Sequence, residues 1–540
     1  MSVCLVLYLG AEQAFFFDEW DLVLGRRGWS VDVFLEPHNE HLFAVPIAAL
    51  KVVQSAVGLA PHWPFLLPLL AAHLTSAALL FVLVSRRLGE WAGLAAAVSI
   101  LFLGSAWEDL LLPIQVSFVG SVAAGLAMLV LLDDPKSGRR DVLAAAMLAL
   151  SLACSGVGLS FVAVALVEVF ARSDRWRRAW IVALPTALYG IWFLAYGETG
   201  LQAGGDPRSN VPFIPSYVAD SAAGALGALS GLGSEWGRVL ALGAVVVVVR
   251  HLLGADIVSV RLAALLIGAT TFWTLAAVAR GHLGDPAATR YLYVGVVFVL
   301  LIGAEIWPAK RMSRFAVWLL ALAAAFALLA NLNLLRGGRD NLDDWSAEIS
   351  ARLAALEIVG PEQVPSDFRP APELAPRLLA GEYFAAIAEF GSPAASVGGV
   401  LSSSEEAREA ADDVLVRGFS LRAQPGGRPG AKTPSLDDSL GATVSAEGGC
   451  LHLRPTQADA VAEVTVPSAG VIVRTRDDPA DVAVRRFGDE FTEVVISIAR
   501  RSRVAVELPH GELEYPWHAR VSSQDFVAIC SLSTAGGGSR

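Results

Sequence analysis

The chain is divided into apolar runs of roughly the length that crosses a lipid bilayer. A bilayer core about 30 Å thick needs about 20 helical residues, because each residue adds about 1.5 Å. Only 17% of the 540 residues are charged, against about a quarter in soluble domains. The pattern predicts a polytopic α-helical membrane protein. We place eleven spans, at residues 3–17, 64–84, 91–106, 116–132, 142–154, 157–171, 179–196, 236–250, 262–279, 290–307 and 314–333.

The charged residues are unevenly distributed along the chain. Residues 1–335 contain 21 Lys+Arg and 22 Asp+Glu, whereas residues 336–540 contain 20 and 30. The second part is therefore an acidic, water-facing domain. Nucleic-acid binding needs a basic surface that displaces counterions, so the composition argues against nucleic acid as a partner. It also excludes a soluble single-domain protein and a disulfide-rich scaffold.

Lys and Arg in the loops predict the orientation, because they concentrate on the cytoplasmic side of a membrane. One set of alternate loops carries 14 of them and the other set carries 7. We assign the richer set to the cytoplasm, which puts the N-terminus inside and the C-terminal domain outside the plasma (inner) membrane. The richer set is Arg86, Arg87, Lys136, Arg139, Arg140, Arg172, Arg175, Arg177, Arg178, Arg250, Arg261, Lys310, Arg311 and Arg314; the other is Arg26, Arg27, Lys51, Arg208, Arg238, Arg280 and Arg290.

Three apolar segments depart from a simple span. Residues 142–171 have a polar tip at Ser155 and basic residues on both flanks, which favours a hairpin of two short helices over one long tilted span. Residues 43–60 are interrupted by polar side chains and read as an amphipathic helix lying in the interface. The run 3–17 is short for a span, and we expect a misplaced start codon to have clipped the first helix.

The C-terminal part changes in pattern after Arg336. Residues 340–358 and 372–390 have helical spacing, and short alternating runs between 442 and 530 predict strands of a small antiparallel β-sandwich. The expected fold is therefore about eleven transmembrane helices followed by an extracytoplasmic α+β domain. The predicted divisions are a membrane domain at 1–335, a helical connection at 336–400, a β-rich domain at 401–535 and a disordered tail at 536–540.

Four cysteines are too few for a disulfide framework. Cys4 and Cys154 lie in apolar runs and are expected to be inert. Cys450 and Cys530 both fall in the C-terminal domain, where they are either two small buried side chains or, if that domain is extracytoplasmic, a disulfide.

Three acidic clusters fall on the predicted outer face. Asp18 and Glu19 follow the first apolar run, and Glu108 and Asp109 open the second outer loop. Between them, residues 36–41 contain two imidazoles and two carboxylates, including His38, Asn39, Glu40 and His41. Charged groups near hydrocarbon are expensive and usually functional, so we take the three clusters as candidates for one site.

Paired carboxylates can do two kinds of chemistry at such a site. One can act as a general base toward a hydroxyl group. Others can hold a divalent cation, Mg²⁺, Mn²⁺ or Zn²⁺, and the candidate ligands here are Asp18, Glu108 and Asp109. The plainer alternative is that an acidic residue beside a span serves only topology or solubility. For the cluster at 38–41 we favour contact with substrate over metal ligation.

These motifs resemble the GT-C membrane glycosyltransferases. The resemblance rests on the acidic pair after the first span, the long first outer loop with its flat helix, and the second acidic pair at the start of the second outer loop. It implies a donor sugar linked to polyprenyl phosphate, transfer on the outer face, and an inverting reaction. It also implies that Asp18 or Glu19 is the base and that Glu108 or Asp109 is the supporting acid.

The loop at 280–290 offers a place for the donor phosphate. Arg280, His282, Arg290 and Tyr291 lie in it or directly after it, and guanidinium groups match phosphate geometry with paired donors. The competing interpretation is that these arginines extend toward lipid headgroups.

The sequence leaves the function open among three classes. The favoured one is a glycosyltransferase acting on a polyprenyl-phosphate sugar and an envelope glycan, lipid or protein, in contact with membrane lipids. A transporter or flippase for lipid-linked precursors is the first alternative, although it predicts charges at the bilayer midplane in matched halves. A non-catalytic scaffold for envelope assembly is the second. The Ala-, Gly- and Arg-rich composition is typical of a high-GC bacterium.

Overall fold

The computed structural model describes residues 1–133, 138–201, 207–254, 258–307, 314–419, 423–430, 432–466, 470–509 and 515–533. The chain forms two compact units. The first contains Met1–Gln13 and Arg26–Leu342, and the second contains Ala14–Gly25 and Asp343–Arg540. The predicted tail at 536–540 lies outside the described residues.

The regular structure of the first unit, over its described residues, is helical. In chain order the helices of the protein are α1 (Ser2–Leu9), α2 (Asp18–Trp20), α3 (Val31–Leu35), α4 (Ala44–Val57), α5 (Leu66–Leu88), α6 (Glu90–Leu101), α7 (Trp107–Leu111), α8 (Val116–Leu132), α9 (Gly138–Cys154), α10 (Gly158–Phe170), α11 (Arg175–Arg178), α12 (Trp180–Leu201), α13 (Ile214–Ser230), α14 (Gly233–Gly254), α15 (Val260–Arg280), α16 (Thr289–Ile306), α17 (Arg314–Val359), α18 (Ala380–Phe390), α19 (Val397–Leu401) and α20 (Glu405–Gly418).

Eight helical segments within the described residues are long and apolar enough to cross a membrane, against the eleven spans expected. They are Trp63–Leu88, Glu90–Leu111, Pro113–Leu132, Arg175–Gly197, Gly233–Gly254, Val260–Leu283, Thr289–Ile306 and Trp318–Val359. The largest departure is the run 3–17, where α1 has only eight residues and ends at Leu9. Gly10 and the polar residues Glu12 and Gln13 follow it, so the apolar run is not one helix.

The other two short segments are helical, as predicted. Residues 142–171 form two helices, α9 with 17 residues and α10 with 13, separated by a turn at Ser155. Both are shorter than the roughly 20 residues of a straight crossing, as a hairpin requires. The predicted interfacial segment at 43–60 is α4, a 14-residue helix.

Helix α17 runs through the predicted division after residue 335. The sequence predicts a span at 314–333 and a separate helix at 340–358, but the structure has one helix of 46 residues. The pair Gly337 and Gly338 does not interrupt it. A Cβ at Gly338 would lie 2.3 Å from Trp107 Cγ, so this glycine serves close packing and not a break.

A network of ion pairs between buried and exposed groups lies at one end of the first unit. Arg261, at the start of α15, pairs with Glu168 of α10 and lies 2.7 Å from Asp133 beyond α8. Asp133 also pairs with Arg86, and Arg87 pairs with Glu305 of α16, both at 2.9 Å. These contacts bring together loops that carry the richer Lys/Arg set, as expected if that set shares one side.

The second unit contains the aromatic and acidic segment 14–25, which the sequence assigns to the membrane domain. Phe17 stacks edge-to-face on Trp345 at 5.7 Å, and Trp20 does the same on Tyr383 at 6.0 Å. Arg377 pairs with Asp21 at 2.7 Å. The aromatic side chains therefore pack on the helices after Asp343 within this unit.

Two antiparallel sheets form the rest of the second unit, as predicted. The strands are β1 (Ala423–Pro425), β2 (Ser435–Leu440), β3 (Ala442–Glu447), β4 (Cys450–Pro455), β5 (Ala460–Val466), β6 (Gly470–Thr475), β7 (Ala480–Arg485), β8 (Ile496–Ile498), β9 (Arg503–Glu507), β10 (Trp517–Ser523) and β11 (Val527–Ser531). Their orders are β1-β9-β6-β11-β4-β3 and β2-β5-β10-β7-β8. Alternate residues of β5 and β10 are buried, which gives each strand one core face.

Cys450 and Cys530 form a disulfide, the second of the two predicted possibilities. They are register partners on neighbouring strands β4 and β11. The bond ties together strands that are 80 residues apart in the chain.

Candidate functional site

Residues 38–41 form a tight turn in the first unit. The backbone N–H groups of His38 and His41 donate to each other's carbonyl oxygens at 3.0 and 3.1 Å. Asn39 has a φ of 51°, a left-handed conformation that Asn tolerates better than most residues. The turn buries His38 against Phe43, with ring centroids 4.9 Å apart.

The same turn presents Glu40 to an arginine from a distant loop. Arg280 Nη2 lies 2.7 Å from Glu40 Oε2, and His41 Nε2 lies 3.7 Å from Glu40 Oε1. Burial lowers the pKa of His41, with Glu40 opposing that shift. At neutral pH the imidazole is then uncharged, and Arg280 is the cation that balances Glu40.

The second acidic pair meets the start of α16. The Thr289 hydroxyl donates to Glu108 Oε1, and Arg290 Nη1 lies 3.7 Å from Glu108 Oε2. The Arg290 guanidinium also lies over the Tyr291 ring, 5.1 Å from its centroid. Glu108 is thus held by two residues of the loop that the sequence singled out for phosphate.

Asp109 stands apart from every other acidic residue of the site. Its side chain is fully buried, and neither oxygen makes a hydrogen bond to another described residue. Glu108, Arg290 and the backbone N–H of Tyr293 act on it electrostatically. A buried polar group without a hydrogen bond costs about 1–3 kcal/mol, so this position carries a cost that packing alone does not explain.

Aromatic rings connect the two arginine–carboxylate pairs. Phe118 lies between His41 and Tyr291, with ring centroids 6.2 and 6.3 Å away. Tyr217 is acted on by both Arg280 and Arg290, and burial raises its pKa. The structure therefore brings together predicted residues from the first two loops that the sequence places on the outer face and from the 280–290 loop.

His282 takes a different position from its neighbours. Its Nδ1 lies 3.4 Å from Asn210 Nδ2, and the same amide donates to the Val278 carbonyl at 2.9 Å. The imidazole is exposed. Its predicted role in binding substrate stays a prediction.

Asp18 and Glu19 belong to the second unit. Glu19 is 3% exposed, and its Oε2 accepts a hydrogen bond from the Phe16 backbone N–H at 3.1 Å. Asp18 is half-buried and directly follows Phe17, whose φ of 42° is rare for a non-glycine residue. Strained backbone of this kind costs of order 1–3 kcal/mol and clusters at functional sites.

The residues present do not form a set of metal ligands. Among the described residues, no group of three or more His, Cys, Asp and Glu side chains is placed to hold a metal ion. Both oxygens of Glu108 are engaged by Thr289 and Arg290. The predicted divalent cation remains an expectation from the sequence, and no chemical step below depends on it.

A cleft of about 480 Å³ lies beside Glu108 in the first unit. Trp107 and Thr289, which flank or contact Glu108, line it together with residues of α13, α14 and α17. Neither this cleft nor Thr289 is predicted from the sequence, although Thr289 directly precedes the predicted site residue Arg290. Spacing along the chain gives no signal for a cavity between distant helices.

Comparisons with known proteins do not assign the chain to a family. No family model and no curated protein matches the chain. Among solved structures, the chain is similar to the cryo-EM structure of arabinosyltransferase EmbB from Mycobacterium smegmatis, with 12% identity and a TM-score of 0.34. The match covers 98% of this chain and 63% of that one, so the chain spans less than two thirds of its length. A likeness this weak decides neither fold nor activity.

Proposed function

We propose that the protein is a GT-C-type membrane glycosyltransferase that moves a sugar from a polyprenyl-phosphate-linked donor to a cell-envelope glycan, lipid or protein. The observation that carries this proposal is the meeting of Arg280, Arg290, Glu40 and Glu108 beside the buried Asp109. An anionic ligand can replace the carboxylate partner of each guanidinium group. The acidic groups can accept or donate a proton.

The two arginines are the donor-phosphate site in this proposal. Arg280 and Arg290 each have one carboxylate partner, at 2.7 and 3.7 Å, and each is partly exposed. A phosphate adds oxygen acceptors that both guanidinium groups can share. As the glycosidic bond breaks, negative charge grows on the leaving phosphate, and preorganised cations stabilise that charge.

The reaction is a single displacement with inversion. The acceptor hydroxyl oxygen forms a bond to the anomeric carbon, and its proton passes to the base, Asp18 or Glu19. The bond from that carbon to the phosphate oxygen breaks, and polyprenyl phosphate leaves with the electron pair. General-base help is worth about 10²–10⁴-fold in rate.

Glu108 and Asp109 support the reaction. Glu108 already fixes Thr289 and Arg290, so it orients the phosphate-binding arginine. Asp109 lies next to it in a buried place without hydrogen-bond partners among the described residues. Such a carboxyl group responds strongly to charge that develops nearby, because the low local dielectric strengthens electrostatic interactions.

We further propose that the second unit is extracytoplasmic. Disulfides persist in oxidising compartments, and Cys450 pairs with Cys530. Intact cells should therefore show these two cysteines unreactive to a maleimide until a reductant is added. Reaction of both cysteines with the maleimide before any reductant is added would contradict the assignment.

The activity test uses the purified full chain in nanodiscs. Radiolabelled sugars on short polyprenyl phosphates are supplied one at a time with an envelope extract as acceptor. We expect transfer from at least one donor, and loss of it in Asp18→Asn or Glu19→Gln. A protein that cleaves no donor yet moves a lipid-linked sugar across the bilayer of a proteoliposome is a flippase. A protein that does neither is a scaffold.

A further inference from the structure

We propose that the cleft beside Glu108 is a saccharide-binding subsite that holds the acceptor sugar. Only the identification of the bound sugar as the acceptor rests on the proposed function. Saccharide binding is inferred from the cleft itself. Its volume, about 480 Å³, is within the range of about 300–1,000 Å³ of small-molecule sites.

One face of α17 supplies the floor of the cleft. Asn333, Gly337 and Asn341 are spaced by four residues and line the cleft together, because residues four apart share a face of a helix. Gly337 leaves open space between the two amides, since a Cβ there meets no heavy atom within 4 Å. The result is a trough with an amide group at each end.

Asn331, two residues before Asn333, shows what a structural asparagine does on the same helix. It is buried, and its Oδ1 accepts from the Ser105 N–H and hydroxyl at 2.9 Å each. Its Nδ2 donates to the carbonyl oxygens of Ala228 and Ala327. Asn333 and Asn341 are exposed, so their side-chain amides are accessible to a ligand.

A saccharide fits this floor of the cleft better than a lipid chain does. Amide side chains present paired donors and acceptors, which sugar hydroxyls match. A hydrocarbon chain in the cleft would leave the amides of Asn333 and Asn341 unpaired, at about 1–3 kcal/mol for each buried group. Trp107 adds an aromatic surface, which the apolar face of a sugar ring can cover.

The cleft is also next to the proposed phosphate site. Thr289 lines it and donates its hydroxyl to Glu108, which lies 3.7 Å from Arg290. A sugar in the cleft is therefore one residue away from the proposed phosphate site. Neither Asn333 nor Gly337 belongs to the proposed phosphate-binding or acid–base groups.

Gly337→Leu is the sharpest test, because the new side chain fills open space without displacing backbone. Gly303→Leu is the matched control. Gly303 is an exposed glycine near the opposite end of α16, and a Cβ there also meets no heavy atom within 4 Å. The probe is an array of pentose and hexose oligosaccharides, incubated with labelled full-length protein in nanodiscs.

We expect the wild-type protein to bind at least one oligosaccharide, and Gly337→Leu to weaken that binding at least tenfold while Gly303→Leu leaves it unchanged. Asn333→Leu combined with Asn341→Leu should weaken it as well. Wild-type binding that is absent, or that Gly337→Leu retains, overturns the proposal. Displacement of the oligosaccharide by a phosphate-free isoprenoid alcohol assigns the cleft to lipid and overturns it too. Cleft-dependent binding without transfer from any donor retains the saccharide site and rejects the glycosyltransferase.

Discussion

The two adjacent acidic pairs of this chain, Asp18 with Glu19 and Glu108 with Asp109, look alike in sequence but hold their buried members differently. In each pair the first carboxyl group is partly exposed and the second is buried. Glu19 accepts a backbone hydrogen bond from Phe16. Neither side-chain oxygen of Asp109 has a donor at hydrogen-bonding geometry within the described chain.

Glu19 stabilises the backbone next to it, whereas the burial of Asp109 without a hydrogen bond to its side chain costs free energy of folding. Glu19 satisfies a backbone donor in the turn that precedes it, and the same turn holds Phe17 at a φ of 42°. The Phe17 N–H donates to the Leu374 carbonyl at 2.7 Å, which helps to hold the strained residue. In the first pair the accessible Asp18 is thus the candidate for chemistry. In the second pair the buried Asp109 is itself the unusual group.

The largest expected effect is that of Asp18→Asn, which keeps the shape and removes the charge. If Asp18 is the base, transfer should fall about 10²–10⁴-fold with little change in KM for the donor. The measurement is steady-state transfer by purified protein in nanodiscs. Glu12→Gln is the matched control, because Glu12 is an exposed acidic side chain shortly before the segment. Wild-type turnover in Asp18→Asn would remove Asp18 from the reaction.

Arg290→Ala should mainly raise KM for the donor. Hydrogen bonds to charged groups contribute about 1.5–3 kcal/mol, which corresponds to about 10- to 150-fold in binding. Arg290→Lys should recover only part of the loss, because an ammonium group lacks the paired donors of a guanidinium.

Arg86→Ala is the control for that measurement. Arg86 is also paired with a carboxylate, Asp133, at 2.9 Å, but in the ion-pair network that closes the other end of the first unit. We expect its removal to leave KM for the donor unchanged. An equal rise in both variants would show that KM reports general damage and not phosphate binding.

Sequence reasoning found the parts of the fold that have a local pattern. The burial of β5 alternates from residue to residue, and α9 and α10 are separated by a polar turn. The prediction from sequence failed where hydropathy does not distinguish an apolar side chain that packs on lipid from one that packs on protein. Phe17 lies in a predicted membrane span, yet its ring packs on Trp345. Gly338 looks like a helix break, yet its missing Cβ admits Trp107.

The candidate site was predictable as a set of residues but not as a set of contacts. Orientation of the loops was enough to group Glu40, Glu108, Arg280 and Arg290 on one face. Which arginine meets which carboxylate depends on how α15 and α16 pack, and no spacing in the sequence encodes that. Asn333 ends an apolar run and Asn341 lies in the polar stretch after it, so the pattern gives no sign that the two amides face one cleft.

Asp109→Leu tests whether the buried carboxyl group is retained for function at a cost in stability. Replacing it removes a buried polar group without hydrogen bonds, which is worth about 1–3 kcal/mol. We therefore expect the variant to unfold at a higher temperature in nanodiscs and to transfer sugar more slowly. Asp109→Asn separates loss of charge from change of shape. A variant that is both less stable and fully active would show that Asp109 has unrecognised structural partners.

Glu19→Gln should have the smallest effect and the opposite sign on stability. The Gln amide oxygen can still accept the Phe16 N–H, but a neutral acceptor makes a weaker hydrogen bond than a carboxylate, by about half. Stability should therefore fall by about 1 kcal/mol, measured as thermal unfolding of the full chain, while transfer per folded molecule stays within about threefold, well below the 10²–10⁴-fold loss expected for a base. Glu19→Ala should destabilise further, because it leaves a buried backbone donor unpaired. If Glu19→Gln instead folds normally and loses transfer, Glu19 is the base, and the buried carboxyl groups of the two pairs are alike in function after all.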